Sequence, residues 1–164
     1  MLLDQPVEMV TGKGAGLSKE GIHHKCEVIK KALQTYDLSR ERPLELLATV
    51  GGFDLAGLTG VFLGGMVAGI PIVMDGFISS VAALVACTMN ESVRDFIFAS
   101  HVSKEPAGKL LLEKLGKEAI IHADLCLGEG TGALAVVPLF DMMETIYHTM
   151  STFHQIGMED YKEL

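Results

Sequence analysis

The chain contains no tryptophan, only three tyrosines and seven phenylalanines in 164 residues, and it is short of positive charge, with 13 Lys and Arg against 21 Asp and Glu for a net charge of −8. Nucleic acid and anionic membrane surfaces both call for a basic footprint, so neither is expected as a partner. An anionic small molecule would have to be held by local groups. The three cysteines, Cys26, Cys87 and Cys126, are odd in number, widely spaced and without a C-x-x-C. They fit reduced thiols of a cytoplasmic protein better than a disulfide frame or a zinc site. A secretory signal is not expected either, because Asp4, Pro6 and Glu8 stand where its apolar stretch would lie. There is no G-K-[ST] at P-loop spacing, no strand leading into a dinucleotide fingerprint, and no G-x-S-x-G. His23, His24 and Cys26 invite a metal reading, but adjacent histidines project about a third of a turn apart and no fourth ligand sits at helical spacing. No metal and no cofactor are expected.

Residues 55–74 form one uncharged run of membrane-span length containing Gly60-x-x-x-Gly64 and Gly65-x-x-x-Gly69. Against a transmembrane helix, Asp54 and Asp75 bound the run without a nearby Lys or Arg, no Trp or Tyr marks an interface, and Pro71 interrupts it. The run reads instead as a buried, glycine-rich helix over 55–68, packed on a sheet or a subunit partner. A turn at Gly69 and a buried strand over 70–74 follow.

Elsewhere, Ser18 caps a helix with Ile22, Cys26, Ile29 and Leu33 on one face and Lys25, Lys30 and Lys31 outside. Pro43 opens a second helix over 44–50, which Gly51-Gly52 ends. The pattern then predicts a helix over 77–89, a strand over 95–100 (D-F-I-F-A-S) and a helix over 106–115 closed by Gly116. A last helix over 132–153 carries Leu139, Met142, Met143, Ile146, Met150 and Phe153 on one side. Residues 157–164 read as a frayed acidic tail. Strands alternating with helices imply one α/β domain, a parallel sheet with flanking helices in Rossmann-like layers.

In open parallel sheets ligands bind beyond the carboxyl ends of the strands. That rule selects Asp75-Gly76 and Ser100-His101-Val102-Ser103, which fall on the same edge. Asp75 can accept from ribose hydroxyls or simply cap the next helix; Ser103, with the amides that start the following helix, can hold a phosphate. His101 can act as an acid or base, or fix its loop. The glycine-rich Thr11-Gly12-Lys13-Gly14-Ala15-Gly16 precedes a helix, so its amides can cradle an anion with Lys25 as the point charge. In L-G-E-G-T-G-A at 127–133, Glu129 stands between two glycines beside an apolar stretch. A carboxylate there is expected to have a raised pKa and serve as a proton acceptor. The alternative is a solvated residue favoured by the helix dipole.

Taken together, L-G-E-G-T-G-A, V-M-D-G-F-I-S-S at 73–80, S-H-V-S-K-E-P at 100–106 and T-G-K-G-A-G-L at 11–17 resemble the nicotinate-nucleotide:dimethylbenzimidazole phosphoribosyltransferase family of cobalamin biosynthesis. The resemblance covers the whole chain but only the C-terminal half of the family's. It implies phosphoribosyl transfer from nicotinate mononucleotide to an azole base such as 5,6-dimethylbenzimidazole, with inversion and release of nicotinate. It also implies Glu129 as catalytic base and Gly14, Ala15, Gly16, Lys25, Asp75, Gly76, Ser80, Ser103, Leu127, Gly128 and Gly130 as substrate-binding residues. Ala15 stands where the family usually has threonine. The family's front half, with a second glycine-rich motif containing a glutamate, has no counterpart here. The expected partners are therefore the small-molecule substrates and either a second copy or a complementing N-terminal half; a non-catalytic nucleotide-binding module and one half of a split enzyme are the alternatives.

Overall fold

The computed structural model describes residues 1–14, 16–126 and 128–159. A short helix α1 (Val7–Val10) leads through the glycine-rich loop to α2 (Lys19–Thr35), which starts where Ser18 Oγ accepts from the Gly21 amide at 3.1 Å. Pro43 occupies the first turn of α3 (Pro43–Val50), and α4 (Phe53–Ala68) follows after Gly51-Gly52. Gly69 ends α4 with φ +68°, a left-handed conformation that glycine adopts without a Cβ penalty. Then come β1 (Ile72–Met74), α5 (Phe77–Met89), a 3-10 segment (Glu91–Phe96), β2 (Ile97–His101), α6 (Gly108–Leu115), β3 (Ala119–Ile121) and α7 (Thr131–Thr149).

The three strands are parallel in the order β1-β2-β3, with Ile72 opposite Ile97, Met74 opposite Ala99, and His101 opposite Ile121. This is the expected α/β arrangement of a parallel sheet with flanking helices. One face of β2 presents Ile97 and Ala99 to a core of Met74, Ala82, Ala83, Val93, Leu111 and Leu115, all buried, contributed mainly by α5 and α6. The other face presents Phe98, whose ring meets Phe140 of α7 edge-to-face at 5.6 Å between centroids. The helices thus lie on both faces of the sheet.

Several boundaries differ from the sequence pattern for physical reasons. β1 and β2 begin two residues later than their apolar runs. Before β2, Asn90 accepts from the Ser92 amide at 3.0 Å and winds the chain into the 3-10 segment. β3 was not expected. α7 stops at Thr149 rather than 153, and a 3-10 turn (His154–Ile156) follows. The glycine-rich α4 is buried on one side only: Thr59, Phe62 and Gly65 face inward, while Phe53, Val61 and Val67 are exposed. A Cβ on Gly65 would lie 2.6 Å from the Ile72 side chain, so this glycine seats α4 against β1; Gly57, Gly60 and Gly64 face open space. Among the described residues no helix is long and apolar enough to cross a membrane.

Candidate active site

Because the strands are parallel, their carboxyl ends deliver three loops to one edge: Asp75-Gly76 after β1, Val102-Ser103 after β2, and the segment leading to Glu129 after β3. These loops, with α1, the 11–14 loop and the inner side of α2, enclose a cavity of about 960 Å³. That is at the upper end of the range for small-molecule sites. Gly14, Lys25, Asp75, Gly76, Ser103, Gly128, Glu129 and Gly130 all line it. Its wall also has an apolar component, to which Ile29, Leu33, Leu58, Val61, Phe62 and Ile72 contribute. Lys25 is the one lysine on the wall among the described residues, which also carries the carboxylates Asp75, Glu105 and Glu129.

Asp75 organises the polar part of the wall. Its Oδ2 accepts from the Gly130 amide at 3.1 Å and its Oδ1 from the Ala133 amide at 3.0 Å. A carboxylate on β1's end thereby caps α7, satisfying helix-start amides and meeting the positive end of the helix dipole. Glu129 sits directly before this clamp with φ +62°, followed by Gly130 with φ +81°. A glutamate in the left-handed region costs about 1 kcal/mol or more and is held there by its surroundings. Thr131 Oγ1 adds a bond to the Gly128 carbonyl at 2.9 Å.

Glu129 itself is exposed, contrary to the expected poorly hydrated surround. The helical period of α7 turns Gly132 and Val136 inward and leaves Leu134 70% exposed, so the apolar stretch does not fold over the carboxylate. Leu127 and Ala15 lie outside the described residues.

Behind Asp75, Ser100 and His101 are buried. Ser100 Oγ lies 3.1 Å from the Asp75 carbonyl oxygen and 2.9 Å from His101 Nδ1. The imidazole is wedged between two glycines. A Cβ on Gly132 would lie 1.9 Å from Nδ1, and one on Gly76 3.3 Å from Nε2.

At the other side of the cavity, Gly14 and Gly16 take left-handed φ values of +52° and +113°. Lys25 Nζ donates to the Gly12 carbonyl at 3.3 Å. Glu105 packs so closely on Gly12 that a Cβ there would lie 1.9 Å from its carboxylate. Ser103 Oγ accepts from the Glu105 amide at 3.3 Å, and α6 starts only at Gly108, so a turn separates Ser103 from the helix. Gly108 lets that turn fold back, since a Cβ would meet the Ser103 carbonyl at 2.3 Å. Ser80 is buried away from the cavity and donates to the Gly76 carbonyl at 2.8 Å; Ser79 is on the wall instead. Gly16 is not on it.

α1 closes the near wall through Val7 and Val10 and is tied to α2 by a Glu8–Lys30 ion pair. Lys30 beside Glu8 holds that carboxyl below its usual range, and Glu8 with Glu27 pushes the lysine up.

Sequence reasoning missed Glu105, Cys126 and Gly132. Gly132 was within reach as the third glycine of L-G-E-G-T-G-A. The Glu105–Gly12 approach joins distant loops and leaves no local trace.

A parallel α/β domain with a ligand cavity across its strand ends, glycine turns at one side and a strained carboxylate at the other, defines a small-molecule site. The chain belongs to the phosphoribosyltransferase family whose model matches residues 1–158. It is 43% identical over 157 residues to the nicotinate-nucleotide–dimethylbenzimidazole phosphoribosyltransferase of Chlorobaculum tepidum, covering 96% of this chain and 44% of that protein. The enzyme of the same name from Acetivibrio thermocellus is 42% identical over 162 residues, with 99% and 46% covered. The crystal structure of CobT from Thermus thermophilus superposes with a TM-score of 0.87 at 40% identity, over 98% of this chain and 47% of that one. The chain thus spans about half the length of these relatives.

Proposed function

We propose that the chain forms half of an active site that transfers a phosphoribosyl group from nicotinate mononucleotide to a 5,6-dimethylbenzimidazole-like azole, releasing nicotinate. The observation that carries this reading is the clamp of Asp75 on Gly130 and Ala133, which aims Glu129 at a cavity that also holds Lys25, Gly14 and Ser103. One azole nitrogen attacks the anomeric carbon from the face opposite nicotinate, the C–N bond to nicotinate breaks, and the configuration inverts. The proton on the other azole nitrogen passes to Glu129 as general base, giving an α-ribazole phosphate. Lys25, the glycine-loop amides and Ser103 hold the 5-phosphate. Asp75 and Gly76 lie beside the ribose, and positioning of the two reactants supplies much of the rate. No step needs a metal.

The exposed Glu129 and the relatives' double length favour a site completed by further chain: a complementing N-terminal half, in the cytoplasm, or a second copy. The uncovered apolar side of α7, with Met142, Met143 and Ile146 and, just past the helix end, Met150 each at least half exposed, is where such a partner has most surface to bury. The test is calorimetry with nicotinate mononucleotide on this chain, then an assay of nicotinate release from mononucleotide plus azole, with and without the complementary half of a relative. Binding without turnover in either assay would leave a nucleotide-binding module; turnover only on add-back would identify a split enzyme.

A further inference from the structure

We infer that His101 is a substrate-binding residue whose Nε2 accepts a hydrogen bond from a ribose hydroxyl of the bound mononucleotide; this rests on the phosphoribosyl reading and extends it to a residue-level contact. Ser100 has one hydroxyl proton and two contacts, the Asp75 carbonyl oxygen at 3.1 Å and His101 Nδ1 at 2.9 Å. The carbonyl can only accept. Both contacts are satisfied when Ser100 donates to Asp75 and Nδ1–H donates to Ser100, which leaves Nε2 as the acceptor of the neutral ring. The residue is 6% exposed, yet it lines the cavity. Among the described residues Nε2 has no protein partner and no fully buried side-chain nitrogen or oxygen lacks one, so Nε2 is reached from solvent, through the cavity.

The ring cannot swing away. It lies between the backbones of Gly76 and Gly132, at separations that leave no room for a methyl group on Gly132. Asp75 next to it has committed one lone pair of each carboxylate oxygen to the α7 amides. Among the described residues the buried acceptor without a protein partner at this end of the cavity is therefore His101 Nε2, apart from the exposed Glu129 carboxylate assigned to the azole proton.

The chemistry of the ligand selects the donor. Phosphate and carboxylate oxygens accept, the substituted pyridine nitrogen of nicotinate mononucleotide carries no N–H, and the azole proton goes to Glu129. Only the 2- and 3-hydroxyls of the ribose remain to donate to Nε2.

The test is calorimetric titration of nicotinate mononucleotide and its 2-deoxy and 3-deoxy ribose analogues into the wild type, His101→Asn and His101→Gln. Asn places its amide near the position of Nδ1 and loses the cavity-facing acceptor, whereas Gln reaches the position of Nε2. His101→Asn should weaken the ribonucleotide roughly three- to tenfold, the effect of one neutral hydrogen bond, and should not further weaken the analogue that lacks the contacted hydroxyl. His101→Gln should recover part of the loss. Equal weakening of all three ligands, or none, overturns the assignment. Should the variants not fold, nitrogen NMR of the wild-type imidazole decides: the Nε2 resonance moves with the ribonucleotide and not with one deoxy analogue, and a resonance that responds alike to all three refutes the contact. A wild type that binds the deoxy analogues as well as the ribonucleotide overturns the His101 contact alone; one that binds none of the three overturns the phosphoribosyl reading with it.

Discussion

Gly132 and His101 approach so closely that a methyl group on Gly132 would sit 1.9 Å from the imidazole Nδ1. Both residues are buried, and the ring is pinned by Ser100, so neither side can give way cheaply. Gly132→Ala should therefore destabilise the chain by about 1–3 kcal/mol, the usual cost of overpacking, and weaken mononucleotide binding. Denaturant midpoints and calorimetry check this. An alanine variant of unchanged stability and affinity would mean the first turn of α7 is looser than its geometry.

Asp75→Ala removes the acceptor of the Gly130 and Ala133 amides at once. Leaving these helix-start donors unpaired should cost about 1–3 kcal/mol and speed their hydrogen exchange, with little change in the amides of β2. Exchange that stays slow at both positions would show that another group caps α7.

Lys25→Ala deletes the cation on the wall that stands beside the glycine loop. Nicotinate mononucleotide should bind more weakly by about 1.5–3 kcal/mol, roughly one to two decades. The loss should shrink for the dephosphorylated nucleoside, because the lysine is assigned to the phosphate. Equal losses for both ligands would move Lys25 off the phosphate.

Glu129→Gln keeps the shape of the side chain and removes the proposed base. In the complemented enzyme, turnover should fall by about 10² to 10⁴ with mononucleotide affinity nearly kept. Glu129→Gly should abolish turnover as well, yet be at least as stable as the wild type, since glycine relieves the left-handed φ of +62°. A glycine variant that is markedly less stable would show that the glutamate caps or pairs rather than waits for substrate.

The thiols should separate by environment. Cys126 is exposed on the cavity wall, while Cys26 and Cys87 are buried and burial pushes the Cys87 thiol up. A group with a raised pKa supplies thiolate only at more alkaline pH, so near pH 8 iodoacetamide should label Cys126 first and Cys87 last. Mononucleotide should protect Cys126. Mass spectrometry of the labelled peptides reports the order, and Cys87 reacting as fast as Cys126 would contradict its burial.

Much of this architecture was legible in residue order because its signals are local. Ser18, Pro43, Gly69 and Gly116 mark helix ends at positions where the physical reason for the residue type is the same in sequence and structure. The second strand, observed at Ile97–His101, stood out as the apolar run 95–100. β3 did not, because Ala119, Ile120 and Ile121 are too few to show a period. The one-sided burial of α4 was hidden for another reason: an uncharged helix does not say which of its faces is covered, and only the packing of Gly65 on Ile72 decides it. At the site, the motif around Glu129 was visible, while the partners that set its conformation were not. Asp75 reaches Gly130 across 55 residues, beyond any pattern window.

That span has a consequence for how the site comes into being. The backbone turn that bears Glu129 is written locally as L-G-E-G-T-G-A, but two of its amides are claimed by a carboxylate 55 and 58 residues earlier in the chain. The turn is complete only when β1 has come to rest beside β2 and α7 has landed on them. An excised peptide of this motif, or its transplant onto another helix start, would carry the letters without the shape. The shape of the Glu129 turn is in this sense a report on tertiary assembly, and it should be among the last local structures to become native.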